Sequence, residues 1–167
     1  MTGAAVLPQA ANAPLGVSAP CADSGHAEPL VCVLDTNIVL DLWVFDDPAS
    51  EPLRAAVQAH AVVWLASAAM REELQRVLHY PHIARRLAMR GMTADAVLAQ
   101  FDRHARLQPD APRAPYVCKD ADDQKFIDLA VQHGAALHSK DAQVLCMKNR
   151  LARCGVVLNP SFLETTE

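Results

Sequence analysis

Four acidic side chains stand where chemistry could be done. Asp35 follows the apolar run Leu30-Val31-Cys32-Val33-Leu34, and Asp141 follows the shorter run Ala135 to His138. If both runs are strands of a parallel sheet, both acids lie on one rim, beyond the C-terminal strand ends where open α/β sheets hold ligands. A single acid at a strand end also serves as an Asx turn or a helix cap, so the weight rests on the combination.

Glu73 is set by helical register, three residues after Met70 and four before Val77, on the apolar face of a helix expected to start at Ser67. Its neighbour Glu72 faces outward and is expected to pair with Arg76 at i,i+4. Asp123 precedes Phe126, Ile127 and Ala130 at helical spacing and also faces in. Asp120 is the natural N-cap of that helix, and Asp122 lies between the inward and outward faces.

Asp35, Glu73, Asp123 and Asp141 thus point inward from four segments, with no inward Lys or Arg evident to neutralise them. Such a cluster calls for a divalent cation, and all-oxygen donors suit Mg²⁺ or Mn²⁺ better than zinc. Ions held this way commonly activate water for attack on a phosphodiester. No HExxH or paired-cysteine pattern offers a rival site.

The elements that must position these acids alternate along the chain. Val62 to Leu65 reads as a second strand and Val156 to Leu158 as a last one. Helices are expected after Asn37 and over Glu51 to His60, Ser67 to Leu78, His82 to Arg90, Thr93 to Leu107, Asp120 to His133 and Asp141 to Arg150. The pattern predicts an α/β fold, a three-layer α/β/α sandwich around a mostly parallel sheet.

Residues 1 to 29 hold eight Ala and four Pro with only two charges, Asp23 and Glu28, and read as a flexible tail. Residues 30 to 167 then form a single domain. With 51% hydrophobic and 20% charged residues in 167, the chain has enough apolar side chains for a core without disulfide staples. Its five cysteines are odd in number and widely spaced, which points to a reducing compartment. No apolar run approaches a membrane span and no basic leader precedes Arg54, so the expected location is the cytoplasm. The net charge of -4 means that a nucleic acid would be held by a local basic patch or through metal ions. His79 to Met92 offers such a patch, with Arg85, Arg86 and Arg90 and no acid. Trp43 and Trp64 are expected in the core.

The ordered segments Val33-Leu34-Asp35-Thr36-Asn37-Ile38-Val39, Ser67 to Leu78, Lys119-Asp120-Ala121-Asp122-Asp123-Gln124-Lys125-Phe126 and Ser139-Lys140-Asp141 resemble the motifs of PIN-domain ribonucleases. The branch they most resemble comprises toxins of type II toxin-antitoxin systems. The resemblance runs from about Val31 to Phe162. It implies a metal-dependent endoribonuclease in which Asp35, Glu73, Asp123 and Asp141 hold Mg²⁺ or Mn²⁺, with Asp120 and Asp122 as further candidate ligands. Asn37 and Ser139 are implied as supporting polar residues. RNA is the implied substrate and a small antitoxin the implied partner, with a homodimer also compatible. Many relatives carry a further acid two residues after the last motif Asp, where this chain has Gln143.

Two other folds that begin with a strand and Asp fail on the order of their acids. A haloacid-dehalogenase-type phosphatase needs Asp where Asn37 stands, and a response-regulator receiver needs its acid pair at the first strand. The remaining rival is a catalytically inactive PIN-like module that binds RNA or protein without cutting.

Overall fold

The computed structural model describes residues 29–161. Most of the expected tail, residues 1–28, and residues 162–167 lie outside the described residues, as does Cys21.

Strand β1 (Leu30–Leu34) is the axis of the molecule because its continuous apolar sequence can be covered on both faces. Cys32 and Val33 are fully buried, and Leu34 nearly so. It pairs in parallel with β2 (Val62–Ser67) on one side and with β4 (Ala136–His138) on the other. A fourth strand, β3 (Ala105–Gln108), pairs in parallel with the outer edge of β2, giving the order β3-β2-β1-β4. Helices pack around this sheet to complete the three-layer α/β/α sandwich.

After β1 the chain enters α1 (Thr36–Leu40), which continues as a π-helical turn over Asp41–Phe45 and stops at Asp46 in the left-handed region. Helix α2 (Glu51–Gln58) leads to β2, and α3 (Ala68–Leu78), α4 (Pro81–Met89) and α5 (Ala94–His104) follow it. Trp43 stacks on Trp64 with ring centroids 5.6 Å apart, and Phe101 meets Trp64 edge-on at 4.9 Å. Both tryptophans are core residues.

Several expected boundaries move. The helix expected over Thr93 to Leu107 ends at His104, and Ala105–Gln108 becomes β3, in register from Trp64↔Ala105 to Ser67↔Gln108. Edge position explains why the segment carries no strand signature: Arg106 and Leu107 are exposed, so neither period 2 nor an apolar run is required there. The helix expected from Asp120 begins at Gln124, since Asp120 forms a turn one step earlier; it runs as α6 to His133 and ends at Gly134 with φ +57°. The single helix expected over Asp141 to Arg150 is two short ones, α7 (Ala142–Leu145) and α8 (Lys148–Ala152), broken at Cys146 and Met147. The last expected strand is reduced to one bridge, Leu137↔Leu158.

The four described cysteines are free. Burial pushes the Cys32 thiol up to about 12, which leaves it an unreactive core residue.

Candidate active site

The sheet order reverses direction at β1: the chain moves out to β2 on one side and returns to β4 on the other. The C-terminal ends of β1 and β4 therefore flank a switch point, and the acids gather there. Asp35 follows β1 directly, at the N-cap of α1, and is only 3% exposed. Its backbone N–H donates to the His138 carbonyl at 2.9 Å, tying the two strand ends together. Its Oδ2 accepts from Ser139 Oγ at 2.6 Å, and Oδ1 accepts from the Asn37 amide at 3.5 Å. Burial pushes the Asp35 carboxyl above its ordinary range. The bonds from Ser139 and Asn37 pull it back, while the charges of Glu73 and Asp141 raise it further.

Glu73 stands on the inward face of α3, its side chain 14% exposed. Oε1 accepts from Thr36 Oγ1 at 2.7 Å, and Oε2 is ion-paired with Lys125 of α6. Two expectations are corrected here. An inward cation does exist, because the long Lys125 side chain crosses from its helix to Glu73. The surface pair Glu72–Arg76 is not formed among the described residues; Glu72 is simply exposed.

Asp123 immediately precedes α6 but does not cap it through its side chain. Its Oδ2 is buried and accepts no hydrogen bond. Burial first, then the charges of Asp35, Asp141, Asp120 and Glu73, push its carboxyl up to about 7. Asp141 caps α7, its Oδ1 accepting from the Gln143 amide at 2.6 Å, and its own N–H donates to Ser139 Oγ at 3.0 Å. Ser139, fully buried, thus touches two of the four acids through one hydroxyl.

The other expected site residues lie further out. Asp120 and Asp122 are exposed; Asp120 Oδ1 accepts from the Asp122 amide at 2.9 Å, and the Asp122 carbonyl accepts from Lys125. Asn37 reaches Asp35 through its backbone, with its side chain exposed. Of the expected basic patch, Arg85 is exposed, whereas Arg90 Nη1 donates to the Val44 carbonyl at 2.8 Å and pairs with Asp46 at 3.4 Å. Arg86 donates to the Phe45 carbonyl at 3.4 Å. Arg86 and Arg90 therefore close the end of the π-helical turn, whose carbonyls lack helical partners. His138 is pushed down to about 4 by burial and is neutral near pH 7.

Among the described residues, no three acidic, histidine or cysteine side chains form a ready-made metal shell. Lys125 draws Glu73 aside and Asp141 is engaged at its own cap, so the acids are electrostatic neighbours without being a closed ligand set. The donor chemistry nevertheless fits a hard divalent cation: carboxylate oxygens, one of them buried and unbonded, whose mutual repulsion a cation would relieve. Thr36, Lys125 and Asn159 are the residues that sequence reasoning missed. Thr36 lay within the first motif, between Asp35 and Asn37, but only the packing of α1 on α3 shows that its hydroxyl reaches Glu73.

A parallel α/β domain with carboxylates at adjoining strand ends defines a class of strand-end acid sites. Within that class the particular family is shown by a family model described as PIN domain, which matches residues 31–137, and the chain belongs to this family. In structure it is similar to VapBC2 from Rickettsia felis, solved bound to a DNA fragment from the promoter. That match has 12% identity and a TM-score of 0.52, covering 78% of this chain and 98% of the other. The likeness bears on fold alone. No curated protein matches the sequence.

Proposed function

We propose that the chain is a divalent-metal-dependent endoribonuclease, with Asp35, Glu73, Asp123 and Asp141 as the residues that would hold Mg²⁺ or Mn²⁺. The observation that carries this reading is the buried, unbonded Oδ2 of Asp123, in a carboxyl whose proton affinity the charges of Asp35, Asp141, Asp120 and Glu73 raise. Such an atom is costly to bury unless a cation or a proton meets it. When bound, the ion supplies Lewis acidity for hydrolysis of an RNA phosphodiester bond.

The chain's own residues prepare the site. Ser139 holds Asp35 by donating to Oδ2, and Asp141 by accepting from its amide. Thr36 fixes one oxygen of Glu73. Lys125 balances the charge of Glu73 until an ion does so. Arg85 is free to meet a phosphate of the substrate. The working unit is taken as residues 30–167, in the cytoplasm.

The reading extends to a toxin restrained by a small antitoxin. Its support is the fold shared with the Rickettsia felis VapBC2 structure together with the PIN family membership. The ion pair between Lys125 and Glu73 favours the rival of a non-cutting RNA- or protein-binding module, since it occupies one expected ligand.

Asp35→Asn separates the two, because it removes a charge at nearly constant volume. Loss of Mn²⁺-dependent RNA cleavage with an unchanged circular dichroism spectrum supports the nuclease. Cleavage by the pure protein in EDTA sinks the metal assignment. For the toxin, expression of the intact chain is expected to slow growth and Asp123→Asn to relieve it; equal growth with both overturns that role.

A further inference from the structure

Asn159 lies outside every motif, yet it contacts the site through one residue. The stretch before it begins a parallel ladder with β4: the Leu137 amide donates to the Val157 carbonyl and the Asn159 amide to the Leu137 carbonyl, both at 2.9 Å. In a regular parallel ladder the next two bonds would use the Asn159 backbone carbonyl and the amide of residue 161. Neither forms here. Asn159 turns into the left-handed region with φ +48°, and Pro160 follows it.

The side chain of Asn159 bonds both polar groups of the Ser139 peptide. Its Oδ1 accepts from the Ser139 amide at 2.9 Å, and its Nδ2 donates to the Ser139 carbonyl at 2.8 Å. A primary amide has the donor and acceptor needed to mimic a neighbouring peptide, and Asn also tolerates the left-handed region better than most residues. Glycine would hold that backbone more comfortably but would leave Ser139 without either bond. The residue clamped is the one whose hydroxyl donates to Asp35 at 2.6 Å and accepts from the Asp141 amide at 3.0 Å.

We infer that Asn159 is a positioning residue of the acid site, fixing the Ser139 peptide so that one hydroxyl sets Asp35 and Asp141 for cation binding. The inference rests on the metal-dependent reading above. Partners one step removed from a ligand commonly change metal affinity or activity by about ten- to a hundredfold when lost.

The test is a double-mutant cycle on the full chain with Asn159→Gly, Ser139→Ala and the pair, plus Asn159→Asp. Asn159→Gly keeps the left-handed backbone accessible, so folding is preserved while the amide is lost. The Mn²⁺ concentration giving half-maximal RNA cleavage is expected to rise about tenfold in Asn159→Gly and in Ser139→Ala, and no further in the pair. Asn159→Asp, which keeps an acceptor for the Ser139 amide, is expected to fall between wild type and Asn159→Gly. Additive losses in the pair, or an Asn159→Gly chain with a lower melting temperature in EDTA and an unchanged Mn²⁺ midpoint, would overturn the inference. If the intact chain neither cuts RNA nor responds to Mn²⁺, the nuclease reading fails alone. Unfolding in EDTA then decides the Asn159 inference: non-additive costs support the clamp through Ser139, and additive ones refute it.

Discussion

Lys125 of α6 is ion-paired with Glu73 of α3, so the helix that follows Asp123 also supplies a cation to the acid cluster. The same ammonium donates to the Asp122 carbonyl and lies 4.8 Å from the centroid of the Phe126 ring. Three contacts hold a long side chain that would otherwise be free, and they leave one of the four acids neutralised without any ion.

Replacing Lys125 by Met should therefore act in opposite directions on the two states. Without metal, Glu73 loses its counter-charge in a mostly buried setting, at a cost of about 1–2 kcal/mol, between exposed and fully buried pairs. For a domain of this size that lowers the melting temperature in EDTA by roughly 2–8 °C. Mn²⁺ affinity should increase, because the ion no longer displaces a bound ammonium. Calorimetric titration with Mn²⁺ checks this, and an unchanged or weaker affinity would mean that Lys125 does not compete for Glu73.

The raised carboxyl of Asp123 makes the metal-free protein sensitive to pH. Its folded value of about 7 stands above the ordinary 3.8, so between about pH 4 and 7 the folded chain keeps a proton that the unfolded chain has released. Stability in EDTA should fall as pH rises through that window and level off above it. Asp123→Asn should flatten the slope and melt higher than the intact chain at pH 8. Mn²⁺ requires the carboxylate, so its stabilising effect should grow over the same range. Melting curves from pH 4 to 8, with EDTA and with Mn²⁺, give both slopes; parallel curves for the two chains would remove Asp123 from the site.

Glu73 and Glu72 are adjacent in sequence and divided by helical register. Glu73→Gln should abolish cleavage, whereas Glu72→Gln, on the exposed face, should retain nearly wild-type rates. A dead Glu72 variant beside an active Glu73 variant would reverse the assignment.

Two arginines of the basic segment, Arg85 and Arg90, should separate by assay. Arg85→Ala should weaken RNA binding and reduce the salt dependence by about 0.7 of a counterion, the value for one single-strand phosphate contact. Arg90→Ala should leave that slope unchanged and lower the melting temperature, since Arg90 bonds the Val44 carbonyl and Asp46. Filter binding across a salt series and thermal melting distinguish the two.

Much of this protein was legible in one dimension wherever burial imposes a repeating demand. Cys32 to Leu34 must be apolar because β1 is covered on both faces there, and Glu73 and Asp123 are marked as unusual because their registers place charge among apolar neighbours. Asp35 and Asp141 are legible because an acid closing a strand sits on a predictable rim. Register fixes the direction in which a side chain leaves its own element. It does not fix what that side chain meets. The reach of Lys125 to Glu73, the diversion of Arg86 and Arg90 to the π-helical turn and the clamp of Asn159 on Ser139 join residues 20 to 52 positions apart. Those distances close only when elements pack. The edge strand β3 is the same lesson for the backbone, since Ala105 to Gln108 has no pattern of its own and becomes a strand because β2 offers it an unpaired edge. Local sequence determined which residues could not be left in the core without a purpose; tertiary packing decided which partners answer them, because hydrogen bonds and ion pairs depend on distances that no local periodicity encodes.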